Sequence, residues 1–392
     1  MGHAEAMNRQ MRIRTAWAGT WIVLALAAVG RAEDFAWTTQ NGTATLSKYS
    51  GPGGAVEIPA QANGLPVVAI GSGAFQDSFR LTSVKISDSV AGIGEQAFAY
   101  CSGLTNVAFG AGVSRIGDWA FRGCAKLAAI EVDARNASYG SDNGILFDRR
   151  RTVLILCPAR KAGNVAIPTG VVEIASGAFA RCSGLSGIAV PEGLVRIGDW
   201  AFDRAGVGAI IIPATVTDIG EGAFSGCDKL ANIAMGANVV RIGPRAFEHT
   251  ALTSIAMSNR VAEIGPWAFY ACLRLKQIVL PESLSRIEPR TFFNCTALAT
   301  ATVPRKVESI GEWAFGECPA LTAVYFKGIP PAVEPDVYGG TLNVTNFHLA
   351  GVAGWGSAFA GRPTAIGAPP IPTNAPPRVA TNAPISPRAL RR

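Results

Sequence analysis

Apolar positions recur along this chain at a fixed interval. One phrase repeats: apolar-x-x-Ile-Gly-x-x-Ala-Phe-x-x-Cys-x-x-Leu, with its Ile at 70, 93, 116, 174, 197, 219, 242, 264, 287 and 310. The intervals are 23, 23, 58, 23, 22, 23, 22, 23 and 23 residues, so the long one equals a repeat plus a 35-residue insertion. A unit this short cannot bury its own apolar face, and stacked copies must bury it jointly.

Each part of the phrase predicts a local structure. In Leu275-Lys276-Gln277-Ile278-Val279-Leu280-Pro281 the alternation from Ile278 onward predicts a short strand that Pro281 ends. Val261-Ala262-Glu263-Ile264 predicts a second extended piece, and Gly265 a turn. Asp118, Asp199, Glu221, Pro244, Pro266 and Glu312 follow that Gly or its equivalents. Acids and Pro suit the first turn of a helix, so Ala268, Phe269 and Cys272 are expected on the buried side of about one helical turn. The expected fold is therefore an α+β repeat solenoid, with 22–23-residue coils of parallel strands and short helical turns.

The phrase resembles the BspA-like class of bacterial leucine-rich repeats over about residues 55–326. Asn63-Gly64-Leu65-Pro66-Val67, with Val56-Glu57-Ile58-Pro59 before it, resembles the opening cap of such arrays. Val324-Tyr325-Phe326-Lys327-Gly328 and Gly361-Arg362-Pro363-Thr364 resemble the closing segment, although Ala365-Ile366-Gly367 stands where similar chains carry an aromatic. The resemblance implies a secreted or cell-surface setting, and some such proteins are similar to adhesins that bind host or matrix proteins. It implies no particular ligand. The expected layout is a signal peptide at 1–32, a cap at 33–69, the array at 70–326 with its insertion at about 131–168, a closing segment at 327–364 and a disordered Pro-rich basic tail at 365–392.

The N-terminus supports the first of these. Arg9, Arg12 and Arg14 precede an apolar run from Ala16 to Val29, then Gly30-Arg31-Ala32 and Glu33-Asp34. That is the order of a secretory leader, with cleavage expected after Ala32. No integral membrane segment is expected after cleavage. The net charge is +7, but residues 1–32 carry +3 and residues 362–392 carry +5, which leaves −1 for 33–361. The array has no basic face, so nucleic acid is not an expected partner.

Chemistry-bearing residues are few. The three His, at 3, 249 and 348, have no metal-ligand spacing, and the chain has no nucleotide-binding loop or nucleophile elbow. Neither catalysis, a cofactor nor a metal is expected. Cys101, Cys124, Cys182, Cys227, Cys272, Cys295 and Cys318 share one repeat position with Ser78, Ala205 and Thr250. Small size is what these residues have in common, and Cys182 and Cys227 are expected to have no Cys in an adjacent coil. Free thiols acting as small fillers are expected. Trp119, Trp200, Trp267 and Trp313 precede the core Phe by two, about 200° around a helix, and should face outward as a binding stripe or lean on the next coil. Arg196, Asp218, Arg241, Glu263 and Arg286 alternate in sign before successive Ile anchors and should stack as a charge ladder. In the insertion, two apolar runs flank Asp148-Arg149-Arg150-Arg151, which predicts a hairpin, either as a bulged coil or as a functional protrusion.

One strand per coil is expected to form a continuous sheet with two outward columns. One holds Asn106, Asn232, Ser254, Gln277 and Thr300, the other Ala189, Ile211, Ala234, Ala256, Val279, Thr302 and Tyr325. Asn232, Ala234, Ser254, Ala256, Gln277, Val279, Thr302 and Tyr325 are the candidate protein-binding residues, because a flat uncharged face is cheap to desolvate. The expected function is binding of an extracellular protein or surface polymer without catalysis. A structural spacer that presents the tail or insertion is the alternative, and an enzyme with its site in the insertion is a further one.

Overall fold

In a computed structural model the described residues, 32–369, form a single right-through stack of coils. The expected leader and most of the expected tail lie outside the described residues. Two sets of parallel strands run along the stack. The longer set includes Gly54–Ile58, Leu81–Ile86, Asn106–Phe109 and Ala129–Val132 at one end. At the other end it includes Gln277–Val279, Thr300–Val303, Ala323–Phe326, Thr345–His348 and Arg362–Ile366. The last of these carries the closing segment to Ile366, two residues into the expected tail. The shorter set is built from the Ile anchors, which pair in register: Ile174 with Ile197, Ile197 with Ile219, Ile219 with Ile242 and Ile242 with Ile264.

The long sheet is not continuous, contrary to expectation. Leu185–Ala189 does not ladder with Ala209–Ile211, and the coil after Asn232–Ala234 forms no strand. Both gaps fall in the 22-residue coils. These are the coils with Ala205-Gly206-Val207 and Thr250-Ala251-Leu252 where others read Cys-x-x-Leu. The missing residue precedes the strand, so the strand enters out of phase with its neighbour. The remaining gap, between Ala129–Val132 and Gly163–Ala166, is the insertion.

The expected helical turn is absent, and hydrogen bonding explains why. Residues from the anchor's Gly to the Cys alternate their donors. Ala268, Tyr270 and Cys272 N–H close tight turns onto Gly265, Trp267 and Phe269 carbonyls. Trp267, Phe269 and Ala271 N–H reach instead to Pro289, Thr291 and Phe293 in the next coil. A helix would keep every donor within its own segment. Here half of them join the coils.

That alternation forces left-handed backbone at two places per coil. Three residues after the anchor, Gln96, Trp119, Trp200 and Trp267 have φ of 53°, 56°, 56° and 62°, and Gly73, Gly177 and Gly222 share the conformation. Seven after it, Tyr100, Arg181, Arg204, Ala271 and Glu317 are likewise left-handed, with Gly123, Gly226 and Gly340. No β-branched residue or proline stands at either place, as the steric cost there demands. The Gly beside the Ile anchor has a different job. A Cβ on Gly265 would lie 2.5 Å from Pro244 N, so glycine permits close approach of coils rather than the turn itself.

The core is a spine of rings. Phe179, Phe202, Phe224, Phe247, Phe269, Phe292 and Phe315 stack in sequence at 4.9–5.5 Å, and Tyr338 closes the row at 6.1 Å. A separate row, Tyr49, Phe75, Phe98 and Phe121, stacks at 4.8–5.2 Å. Centroids at these distances in offset stacks are favourable. The two rows correspond to two apolar cores, which meet at the insertion.

Candidate functional site

The register brings most of the expected outward columns together. One column runs Ala209 and Asn232, then Gln277, Thr300 and Ala323. The other pairs Ile211 with Ala234, and Val279, Thr302, Tyr325 and Phe347 in succession. Ile211 and Val279 are 44% and 39% exposed, and Ala256 is exposed. Asn232, Ala234, Ser254, Gln277 and Tyr325 are partly exposed. Thr302 is a correction: it is only 7% exposed, enclosed in its column between Val279 and Tyr325, whose ring stacks on Phe347 at 5.1 Å. It belongs to the wall, not to the contact surface. Ser254 and Ala256 lie in the strandless coil, so they continue the face without continuing its ladder.

The Trp residues lean on later coils, Trp200 and Trp313 on the next one and Trp119 across the inserted coil. Rings of Trp119, Trp200 and Trp313 cover Gly177, Gly222 and Gly339, where an added Cβ would lie 2.8, 2.4 and 2.4 Å from them. Their direction follows from left-handed backbone, not from helical geometry. Trp267 has larger neighbours: Tyr270 and Phe293 edge-on at 5.1 and 6.4 Å, with the Arg245 and Arg290 guanidiniums over its ring.

The cysteines do more than fill space. Sγ of Cys101, Cys124, Cys227, Cys272, Cys295 and Cys318 donates to the carbonyl of Phe75, Phe98, Phe202, Phe247, Phe269 and Phe292, at 3.0–3.2 Å. Thr250 Oγ1 donates to Phe247 O at 3.0 Å, and Thr341 Oγ1 to Phe315 O at 2.7 Å. The position therefore wants a small donor. Ala205 shows that the donor is dispensable. All eight cysteines are buried free thiols. Burial raises Cys101 to about 12 and Cys272 to about 11. Cys182 does have a cysteine in an adjacent coil, a correction to the expectation: its Sγ lies 3.5 Å from Cys157 O in the insertion. The phrase could not show this, because Cys157 stands outside it.

The charge ladder forms in part. The register stacks Glu173, Arg196, Asp218, Arg241 and Glu263. Ion pairs join Arg196 to Glu173 at 2.7 Å and Arg241 to Glu263 at 3.5 Å, while Asp218 accepts from Thr217 Oγ1 at 2.7 Å. Arg286 lies beyond a break in the short sheet and pairs with Glu288 and Glu334 at 3.3 and 2.7 Å. Such exposed pairs contribute about 0–1 kcal/mol each.

The insertion forms the expected hairpin. Ile145–Asp148 pairs antiparallel with Val153–Leu156, and Asp148 accepts from Thr152 and Val153 N–H at 2.7 and 2.8 Å to close the turn. An earlier hairpin, Tyr139–Asp142 with Ile145–Asp148, turns at Asn143-Gly144. Val153–Leu156 then joins the short sheet beside Glu173–Ile174, so the insertion is a bulged coil of the stack. Beside it, on the turn face, lies a cleft of about 590 Å³, adjoining a wider groove of about 930 Å³; the two share Trp119, Arg122, Arg181, Trp200 and Asp203. No sequence signal marked these residues as a group. Among the described residues no group of three or more His, Cys, Asp or Glu could hold a metal ion. Nor, among them, is any helix long and apolar enough to cross a membrane.

A parallel solenoid with one Ile-anchored coil every 22–23 residues defines a leucine-rich repeat protein. The family profile described as "BspA type Leucine rich repeat region (6 copies)" matches residues 68–143, 159–273 and 229–345, and the chain belongs to that family. It is similar to a leucine rich cell surface protein of Faecalibacterium prausnitzii A2-165, at 26% identity over 82% of this chain and 94% of that one, with a TM-score of 0.51. A leucine-rich repeat protein of Eubacterium ventriosum shares the fold at 21% identity, over 82% of this chain and 95% of that one, with a TM-score of 0.52. No relative was found among curated protein sequences.

Proposed function

We propose that this chain is a non-catalytic binding protein that works outside the cytoplasm and docks an extracellular protein or surface polymer on its long-sheet face. The observation that carries the proposal is the outward column through Ile211, Ala234, Ala256, Val279 and Tyr325. It is uncharged and exposes two large aliphatic side chains. Such a face loses little on desolvation and suits broad contact rather than a small-molecule pocket. The leader-like N-terminus and the similarity to a cell surface protein support the location.

The test is capture of matrix proteins and glycans by the full chain, compared with a variant carrying Ala234→Arg, Ala256→Arg and Val279→Arg. All three positions accept a long side chain toward solvent, so the variant should fold. A captured ligand that the triple variant releases supports the face. Equal capture by both proteins refutes it. Export is tested separately by N-terminal sequencing of secreted protein, which should begin at Glu33.

A further inference from the structure

The ring spine is interrupted where the insertion joins the stack. Phe121 stacks on Phe98 and Phe179 on Phe202, but among the described residues no ring contact links Phe121 to Phe179. The two apolar cores meet there, with Leu146 in one and Phe147, Leu154 and Cys157 in the other. Each interface in a stack of coils depends on its own contacts, so a covalent tie matters most at such a junction.

Cys157 and Cys182 meet at this junction, and they meet differently from the other cysteines. Leu154 pairs with Ile174. Cys157 follows its anchor by three residues and Cys182 follows its own by eight, so the two enter from different positions of adjacent coils. In-register neighbours, Cys101 with Cys124 and Cys272 with Cys295, repeat one bond and so point the same way. Each is held on the carbonyl of a Phe at 3.0–3.2 Å. Cys182 Sγ lies instead 3.5 Å from Cys157 O and 3.7 Å from Pro158 O, and Cys157 Sγ lies 3.9 Å from that same Pro158 O. The Cys182 thiol has the Cys157 thiol as a hydrogen-bond partner. Sulfurs that converge on one oxygen can be joined by side-chain rotation, whereas parallel side chains suit bridging poorly.

We propose that Cys157 and Cys182 form a disulfide that ties the inserted coil to the array when the chain folds in the presence of a low-molecular-weight disulfide. Both are free thiols in this structure and are buried. The neighbouring thiol and burial hold Cys182 well above the ordinary thiol range, so exchange belongs to the folding chain, before the coil closes. There the Cys157 thiolate attacks one sulfur of the oxidant and expels a thiolate, leaving a mixed disulfide. The Cys182 thiolate then attacks the Cys157 sulfur and expels the second thiolate. Each cysteine loses one proton, the pair loses two electrons, and the oxidant leaves as two thiols. The bond joins residues 25 apart in sequence. It is independent of the sheet-face reading and of export, because the experiment sets the redox buffer.

The full chain is denatured, reduced and refolded with oxidised and reduced glutathione, then alkylated and mapped by mass spectrometry without reductant. Of the eight cysteines all but Cys157 and Cys182 should be alkylated, and those two should appear as one bridged peptide pair that reductant separates. Alkylation of all eight, or a bridge between in-register cysteines in its place, would overturn the proposal. Reduction should lower the melting midpoint of the oxidised chain by about 5 °C. It should leave that of Cys157→Ser with Cys182→Ser unchanged. Equal midpoints for the oxidised and reduced parent would overturn the tie. If the serine variant does not fold, the peptide map and the two parent midpoints decide. Where refolding gives no soluble chain, the same map of chain translated in glutathione buffer decides.

Discussion

Replacing Phe247 or Phe121 by Ala removes the same side chain from two different settings. Phe247 is fully buried between Phe224 and Phe269, with centroids at 5.5 and 5.4 Å. Its removal leaves a sealed apolar void in the middle of the spine, and both stacking contacts go with it. Transfer and cavity terms together cost about 4 kcal/mol. Phe121 stacks on Phe98 at 5.2 Å, but on its other side it lines the cleft, and it is 7% exposed. Its removal widens an open cleft instead of creating a closed one. Only the transfer term remains, about 2 kcal/mol. Urea unfolding followed by circular dichroism should separate the two variants, provided the slopes match that of the parent chain. A cost for Phe121→Ala equal to that for Phe247→Ala would refute the claim that the spine is interrupted at the insertion.

Three further outcomes follow from the same geometry. Gln96, left-handed at φ 53°, should tolerate Gly with a change within about 1 kcal/mol, while Gln96→Val should cost about 2 kcal/mol; equal melting temperatures for the two would contradict the backbone assignment. Asn136 is fully buried, donates to Gly110 O and Val113 O at 2.9 Å each, and accepts from Ser138 and Tyr139 N–H at 2.9 and 2.8 Å, so Asn136→Ala should cost about 3 kcal/mol in the same unfolding assay. Burial raises the folded-state thiols of Cys101 and Cys318 to about 12 from an ordinary 9.0, so the unfolded chain loses these protons first. Stability should therefore be intact below pH 9 and fall as pH rises toward 12; a denaturation midpoint unchanged between pH 8 and pH 10.5 would show that the thiols are not sequestered.

The repeat was legible because each of its positions answers to one physical demand. Ile anchors, core Phe and the outward columns could be placed from periodicity alone. The helical turn was misread because Pro and acids after Gly suit a helix start and suit this turn equally well. Here the N–H of that residue serves no backbone bond within the turn: Glu221 N–H goes to the Asp199 carboxylate at 2.9 Å. Proline therefore loses nothing at Pro244 or Pro266, helix or not. What separates the two structures is the left-handed pair in each coil. Its trace in sequence is negative: Gly recurs there, and Val, Ile, Thr and Pro never do. Thr302 was misassigned for another reason. Alternation gives the face a side chain points to, but not the size of the neighbours that enclose it.

Departures from the period carry the information that the period itself cannot. A perfect array would present one sheet, one spine and one featureless turn face. In this chain each break in the long sheet coincides with a one-residue deletion, at Ala205 or Thr250, or with the insertion. The wider groove lies over the deletion coils, which place Asp203, Arg204, Glu248 and His249 along it. The cleft lies at the inserted coil, with Leu146, Leu156 and Cys157 among its lining residues. Repeat stability is roughly a sum of nearest-neighbour terms, so a defect weakens one interface and leaves the distant ones intact. Deletions and insertions are thus the least costly route by which a solenoid acquires a concave polar surface. The turn face between Trp119 and His249, rather than the most regular coils, is accordingly where a compact ligand would find convergent side chains, while the sheet face offers only breadth.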